Sequence, residues 1–189
     1  EHPLWVQMSA EGPAAAMIDA IISGKPYPIK ALIVEASNLH TSWANTNKLN
    51  KALSMLDFLV VFDVVMTETA EFADIVLPAA TFLEQRGVYQ YVGRSMYVLQ
   101  ERVIEPPEDC WSEMKFWLEL SKRMGFKEQL PWDTPEEVMN HLLKPVNLTL
   151  DDLKANPGGV FYSKAGITWK KYEQEGFKTP SGKVEIYSQ

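Results

Sequence analysis

Phe58-Leu59-Val60-Val61-Phe62-Asp63-Val64-Val65-Met66-Thr67-Glu68-Thr69-Ala70-Glu71-Phe72-Ala73-Asp74-Ile75-Val76-Leu77-Pro78 is the run from which the architecture can be read. Its first five residues are all apolar, and all but Leu59 are β-branched or aromatic. That is the composition of a strand covered on both faces rather than one with a wetted side. Asp63 sits at the carboxyl end of this strand. Thr67 to Ala73 reads as a short helix, and Asp74 to Pro78 as a further apolar strand. Upstream, Ala31 to Ala36 is another short apolar run that reads as a strand buried on both faces. It is followed by the polar turn Ser37 to Ser42 and by a helix with Leu49, Ala52, Leu53 and Leu56 at helical spacing. Earlier still, from Pro13 onward, Ala14, Ile18, Ile21 and Ile22 share a helical face that Gly24 and Pro26 stop.

Strands alternating with helices predict an α/β fold, a doubly wound and mostly parallel sheet flanked by helices. Right-handed crossovers bring the loops after each strand to one edge, and ligands of such folds settle there. The loops at that edge carry Ser37-Asn38 and Asp63 to Thr67. Beyond Glu84 the pattern becomes an irregular C-terminal extension. Ser95 to Arg102 reads as a strand or extended arm. Trp111, Met114, Trp117, Leu118, Leu120 and Met124 form an apolar helix ended by Gly125. Thr134 and Pro135 open another helix running to Leu143. Asn156-Pro157-Gly158-Gly159 is a break, and the tail from Phe177 reads as a turn followed by an alternating strand.

The chain has 189 residues, 46% of them hydrophobic, which is enough for one domain with a core and argues against disorder. A net charge of −7 without a Lys/Arg cluster argues against a nucleic-acid partner. The single cysteine, Cys110, can form no internal disulfide and cannot alone hold zinc or an iron–sulfur cluster. Neither a secretory leader nor a long apolar run is present, so no direct membrane contact is expected and the compartment, cytoplasmic or periplasmic, stays open. His2, His40 and His141 are scattered without metal-ligand spacing and read as solvated. No Gly-x-Gly-x-x-Gly follows any strand, which counts against a plain NAD-binding domain.

The run Leu56 to Ala80, continuing through Glu84, Gly87 and the pair Gly93-Arg94, resembles a hallmark stretch of the dimethyl-sulfoxide-reductase family. These are molybdopterin oxidoreductase large subunits carrying bis(molybdopterin guanine dinucleotide). Thr179 to Ser188 looks like the entry to that family's C-terminal cofactor-binding domain. Gly24 to Leu32 and Trp43 to Leu53 look most like the polysulfide and thiosulfate reductase branch. One departure stands out. The family usually has a Gly-Asn-Pro-like turn after the first strand, where this chain has Ala36-Ser37-Asn38-Leu39. A missing Gly costs easy access to φ > 0 and close backbone approach to a ligand.

The resemblance implies a fragment with three parts. Residues 1–130 would be the dinucleotide-binding domain, truncated at its start. Residues 131–176 would be a helical or irregular extension, and residues 177–189 the beginning of a β-rich domain. It also implies a parent enzyme that reduces or oxidises a small sulfur or oxo compound at molybdenum or tungsten. A 4Fe-4S cluster would lie in an N-terminal domain outside this chain. The remaining domains of the same subunit, an iron–sulfur electron-transfer subunit and a membrane anchor subunit would be its partners. On that view this piece alone is inactive and grips the guanosine end of one cofactor arm. The alternative is a non-catalytic domain like that of the iron–sulfur subunit of NADH:quinone oxidoreductase, which only packs; the Thr179 to Ser188 segment favours the first.

Four residues are candidate cofactor contacts. An aspartate carboxylate can accept both N1–H and N2–H of guanine, a charge-assisted pair worth roughly 1.5–3 kcal/mol in a sheltered site. Asp63 is placed for that role, or else it caps the next turn. Asn38 could offer its amide to the guanine edge, or close an Asx turn. Thr67 and Glu68 begin a predicted helix whose free N–H groups favour phosphate or ribose oxygens, though any helix start looks the same. Glu68 and Glu71 could equally be a wet face. Asp74 is read as fixing backbone and Arg94 as solvated or ion-paired, and no residue is assigned a catalytic or metal-binding role.

Overall fold

The computed structural model describes residues 14–91, 95–162 and 169–186. His2, Gly93, Arg94 and the end of the expected tail strand at 187–189 therefore lie outside the described residues. Two compact units are present. One runs through Gly87 and resumes at Gln100–Val138; the other comprises Val88–Leu99 and the chain from Met139 onward.

The first unit is built on a parallel sheet of β1 (Ala31–Glu35), β2 (Phe58–Asp63) and β3 (Ile75–Pro78), in that order. β1 pairs with β2 from Ala31↔Phe58 to Glu35↔Phe62, and β2 with β3 from Val60↔Ile75 to Asp63↔Pro78. Helix α1 (Ala14–Ser23) precedes β1. A short helix α2 (Leu39–Ser42) and α3 (Thr46–Leu53) fill the crossover from β1 to β2. α1 and α3 cover one face, where Ile18, Ile21, Leu49, Ala52 and Leu53 meet Val34, Leu59 and Val61. Each such fully buried aliphatic side chain contributes roughly 1.5–3 kcal/mol. The opposite face is covered by α4 (Glu113–Arg123), whose Phe116 ring stacks on Phe62 at 4.9 Å. Helices on both faces of a parallel sheet are the doubly wound arrangement expected from the strand–helix alternation.

Local signals explain the boundaries. Gly24, at φ +69°, ends α1 and donates its N–H to Ala20 O. Ser112 caps α4 by accepting from Lys115 N, and the chain leaves that helix through Gly125 at φ +84°. Asp74 fixes backbone, as read from its position: its carboxylate accepts from Leu59 N at 2.7 Å and its N–H donates to Leu59 O.

Four features differ from the sequence reading. β1 is not buried on both faces; only Val34 is buried, because this strand has a neighbour on one side only among the described residues. The polar turn after β1 contains α2, since Asn38 caps it and Leu39 inserts into the core. Thr67 to Ala73 does not become a helix. Only a 3-10 turn forms at Ala70–Phe72, because Asp74 must already join the sheet beside Leu59. The strand expected in the tail is absent across residues 183–186. Thr179 Oγ1 instead donates to Lys183 O at 2.7 Å, and a lone strand has nothing to satisfy its ladder groups.

The second unit holds a small sheet of β4 (Gly87–Tyr91), β5 (Met96–Gln100) and β6 (Val160–Phe161), with β5 and β6 antiparallel. It also holds α6 (Leu150–Ala155), closed by a Thr149–Asp152 capping box, and α7 (Lys171–Glu175). Helix α5 (Pro135–Leu143) begins in the first unit, with Thr134 Oγ1 accepting from Glu137 N. No helix among the described residues is long and apolar enough to cross a membrane.

Candidate functional site at the carboxyl edge of the sheet

β1 and β2 are parallel, so the loops that follow them emerge side by side, and hydrogen bonds tie them together. Asn38 Nδ2 donates to Glu68 Oε2 at 2.5 Å, and Asn38 Oδ1 accepts from Thr69 Oγ1 at 3.0 Å and from His40 N at 3.3 Å. His40 lies in the same network. Its Nδ1 is 3.0 Å from Thr69 Oγ1, and its Nε2 is 2.8 Å from Asn50 Oδ1 on α3. Its ring also stacks on Phe72 at 5.1 Å. Thr69 is completely buried, while Glu68 reaches solvent. Two of the four residues singled out from the sequence, Asn38 and Glu68, are thus brought into direct contact across 30 positions of chain.

The Glu68 carboxyl is held below the usual glutamate range. Its own backbone N–H is the largest cause, the Asn38 amide the second, and the nearby His40 a smaller one. An exposed carboxylate so held stays anionic at neutral pH and keeps a fixed direction.

Asp63 lies at the end of β2, half-exposed. One carboxylate oxygen accepts from Val64 N at 2.7 Å, which closes the turn, and its carbonyl accepts from Ala79 N. Strand alternation puts its side chain on the Val61 side of the sheet, the side of α3 and Asn50. Next to it Val64, Val65 and Met66 are 53%, 61% and 67% exposed, an apolar ledge in the loop that leads to Glu68. Thr67 is buried; its Oγ1 accepts from Ala70 N at 3.2 Å, closing the turn behind Glu68. Glu68 and Glu71 do not share a helix, since only Ala70–Phe72 is helical.

The loop after β1 shows how the chain manages without glycine. Ala36 takes φ +47°, the left-handed region, while its N–H still donates to Phe62 O at 3.0 Å. A non-glycine residue thus holds a conformation that glycine adopts freely, at the cost of strain.

A pocket of about 440 Å³ lies on the other face, between the ends of β2 and β3 and helix α4, walled by Phe62, Leu77, Trp111, Phe116 and Leu120 with Arg123 beside them. None of Asn38, Asp63, Thr67 or Glu68 lines it. Glu68 and the neighbouring Val64, Val65 and Met66 are exposed, so the outer side of the loop network faces solvent. Among the described residues, no three His, Cys, Asp or Glu side chains converge to hold a metal ion.

Sequence reasoning missed His40, Thr69 and Asn50. His40 reads as solvated because its spacing to other ligand-type residues suggests nothing, whereas it is half-buried and bonded at both nitrogens. Thr69 and Asn50 are 29 and 10 positions away, and only the fold brings them within reach.

Comparison with known proteins agrees with this architecture. The family model described as molybdopterin oxidoreductase matches residues 9–123. Acetylene hydratase of Syntrophotalea acetylenica is 34% identical over 92% of this chain and 23% of its own length. Thiosulfate reductase molybdopterin-containing subunit PhsA of Salmonella typhimurium is 28% identical over 94% of the chain and 26% of its length, and dimethyl sulfoxide reductase DmsA of Escherichia coli is 30% identical over 98% and 26%. The solved structure of acetylene hydratase from Pelobacter acetylenicus superposes with a TM-score of 0.75 at 34% identity, over 92% of this chain and 24% of that one. The chain thus spans about a quarter of the length of the curated relatives it matches. With its parallel sheet, its helices on both faces and a family match across the whole of that sheet, the chain belongs to the molybdopterin oxidoreductase family.

Proposed function

We propose that this segment holds the guanosine end of one arm of a bis(molybdopterin guanine dinucleotide) cofactor at the carboxyl edge of β1 and β2. The observation that carries the reading is the Asn38–Glu68 pair. An anionic carboxylate stands on a solvent-facing shelf, its direction fixed by an amide from the neighbouring loop. A guanine presents N1–H and N2–H side by side, and a fixed carboxylate accepts both. Asp63 supplies a second carboxylate at the same edge for base or ribose hydroxyls. Thr67 enters as the residue that closes the turn carrying Glu68. The apolar ledge Val64–Met66 offers a surface against which a purine can lie. The residues present therefore suit the nucleotide part of the cofactor, and none is assigned to the metal.

When bound, the cofactor supplies redox or atom-transfer chemistry at molybdenum or tungsten, while this chain's residues bind and orient its nucleotide end. The parent protein is an enzyme on this reading, acting on a small sulfur or oxo compound. It passes electrons through a 4Fe-4S cluster and an iron–sulfur subunit, with a membrane anchor subunit as a further partner. Residues 177–189 open a further domain of the same subunit. The relatives carry names as different as a hydratase and two reductases. A segment shared by proteins of such different names is accordingly assigned to cofactor binding and not to substrate choice.

The test is titration of the 189-residue chain with GMP and AMP, followed by backbone amide shifts. GMP is expected to bind weakly and better than AMP, with the affected amides at Asn38, Asp63 and Glu68. Both Glu68→Gln and Asp63→Ala should weaken it. Equal affinity for the two nucleotides, or variants indistinguishable from the parent chain, refutes the assignment.

A further inference from the structure

The hydrogen-bond directions around Asn38 can be worked out from chemistry alone. Glu68 is anionic and only accepts, so the nitrogen of the Asn38 amide must face it; the backbone N–H of His40 only donates, so Asn38 Oδ1 must face that side. Thr69 has one hydroxyl proton, and its oxygen lies 3.0 Å from both Asn38 Oδ1 and His40 Nδ1. Asn38 Oδ1 cannot donate, so the proton goes to it. His40 Nδ1 is then the protonated nitrogen, donating into Thr69 Oγ1. Asn50 meets Nε2 at 2.8 Å, and its amide can accept from that nitrogen or, turned over, donate to it. The chain of donors runs from His40 through Thr69 to Asn38 and ends on the Glu68 carboxylate.

From this geometry we infer that His40 is a positioning residue of the proposed nucleotide site, holding Asn38, and through it Glu68, in the orientation that receives a guanine. The inference rests on the nucleotide reading above and adds a residue that touches no ligand. Its position between α3 and the loop after β2 explains the buried threonine. Thr69 has no exposed surface, and among the described residues its hydroxyl bonds to His40 and Asn38. The Phe72 ring braces the imidazole from the side, so its plane is set by packing as well as by its two nitrogens.

Two conservative substitutions separate the two nitrogens. Asparagine places an amide nitrogen near the imidazole Nδ1 position and can restore the bond to Thr69. Glutamine reaches instead toward the Nε2 position and Asn50. The experiment compares His40→Ala, His40→Asn and His40→Gln in the isotope-labelled 189-residue chain, with the Leu59 and Val61 backbone amides as the fold check. In the parent chain the Asn38 side-chain amide protons should be shifted and slow to exchange. That signature should persist in His40→Asn and collapse toward solvent-like values in His40→Ala and His40→Gln. GMP affinity should follow the same order, falling about tenfold in the second pair and less than about twofold in His40→Asn. An Asn38 signal unchanged in His40→Ala overturns the role of His40 whether or not GMP binds. Equal loss of GMP affinity in His40→Asn and His40→Ala does the same, since that is what mere loss of packing produces. A parent chain that binds no GMP removes the nucleotide reading itself, and this role with it.

Discussion

Replacing Ala36 by glycine should make the protein more stable, although it deletes a methyl group from the end of a strand. Ala36 sits at φ +47°, where the Cβ of an L-residue crowds the following carbonyl oxygen at a cost of roughly 1–2 kcal/mol. Glycine has no Cβ and takes that conformation freely. Against this, glycine loosens the unfolded chain, which costs about 0.4–1 kcal/mol. Ala36 is exposed, so its methyl contributes little burial to lose, and its N–H bond to Phe62 O involves only backbone and survives. The balance is a gain of about 0.5–1 kcal/mol, equivalent to about 1–4 °C in melting temperature for a chain of this size. Urea unfolding monitored by tryptophan fluorescence, with an unchanged m-value, reads it directly. Ala36→Val serves as the opposite arm, because a β-branched residue suffers more in that region, and it should lower the midpoint. A glycine variant no more stable than the parent refutes the claim that this turn stores strain.

Asp74→Ala should cost about 1–2 kcal/mol in the same assay, because Leu59 N–H, deep in the central strand, loses its carboxylate acceptor; Asp74→Asn, which keeps an oxygen there, should cost less. Glu68 should leave a mark on acid stability. Its folded pKa lies below the ordinary glutamate value, so its contribution is complete above that value and disappears as pH falls through the lower, folded one. Unfolding curves of the parent chain and Glu68→Gln, compared from neutral to acid pH, should converge at the acid end; a gap that widens toward acid contradicts the sign.

Some of the fold is written in local composition. Phe58–Phe62 has five apolar residues in a row, and a segment with no polar alternation asks for cover on both faces, which α1 and α3 on one side and α4 on the other give to Leu59 through Phe62. Gly24, Ser112 and Gly125 mark helix ends by their own chemistry. The exposure of β1 was not legible in this way. Its sequence is as apolar as that of β2, and nothing in Ala31–Glu35 itself says that a neighbour is present on one side only. The tail makes the same point from the other direction. Lys183 to Ile186 alternates as a strand should, but alternation states a preference and a ladder needs a second strand. The helix expected at Thr67–Ala73 failed for a competing reason, since residue 74 is committed to the sheet and too few residues remain for two turns.

The site divides along the same line. That Asn38 and Asp63 stand at strand ends follows from the strand pattern, because parallel strands with right-handed crossovers put all such ends on one edge. That Asn38 meets Glu68, and that a histidine and a buried threonine stand behind the pair, depends on side-chain reach across 29 to 31 residues of chain. No local pattern encodes that. The absence of glycine from Ala36-Ser37-Asn38-Leu39 looks, on sequence alone, like loss of the turn that a ligand needs. The structure shows Ala36 itself holding a left-handed conformation, at an energetic cost, with Asn38 capping α2 and turned toward the neighbouring loop. A turn kept at that cost, in a loop whose Asn38 amide reaches Glu68 at the exposed edge while Leu39 packs into the core, has a shape that core packing alone does not explain. Strain held at a ligand-facing edge has a physical rationale when the pre-set direction of a side chain there is used in binding. The direction being held in this chain is that of the Glu68 carboxylate.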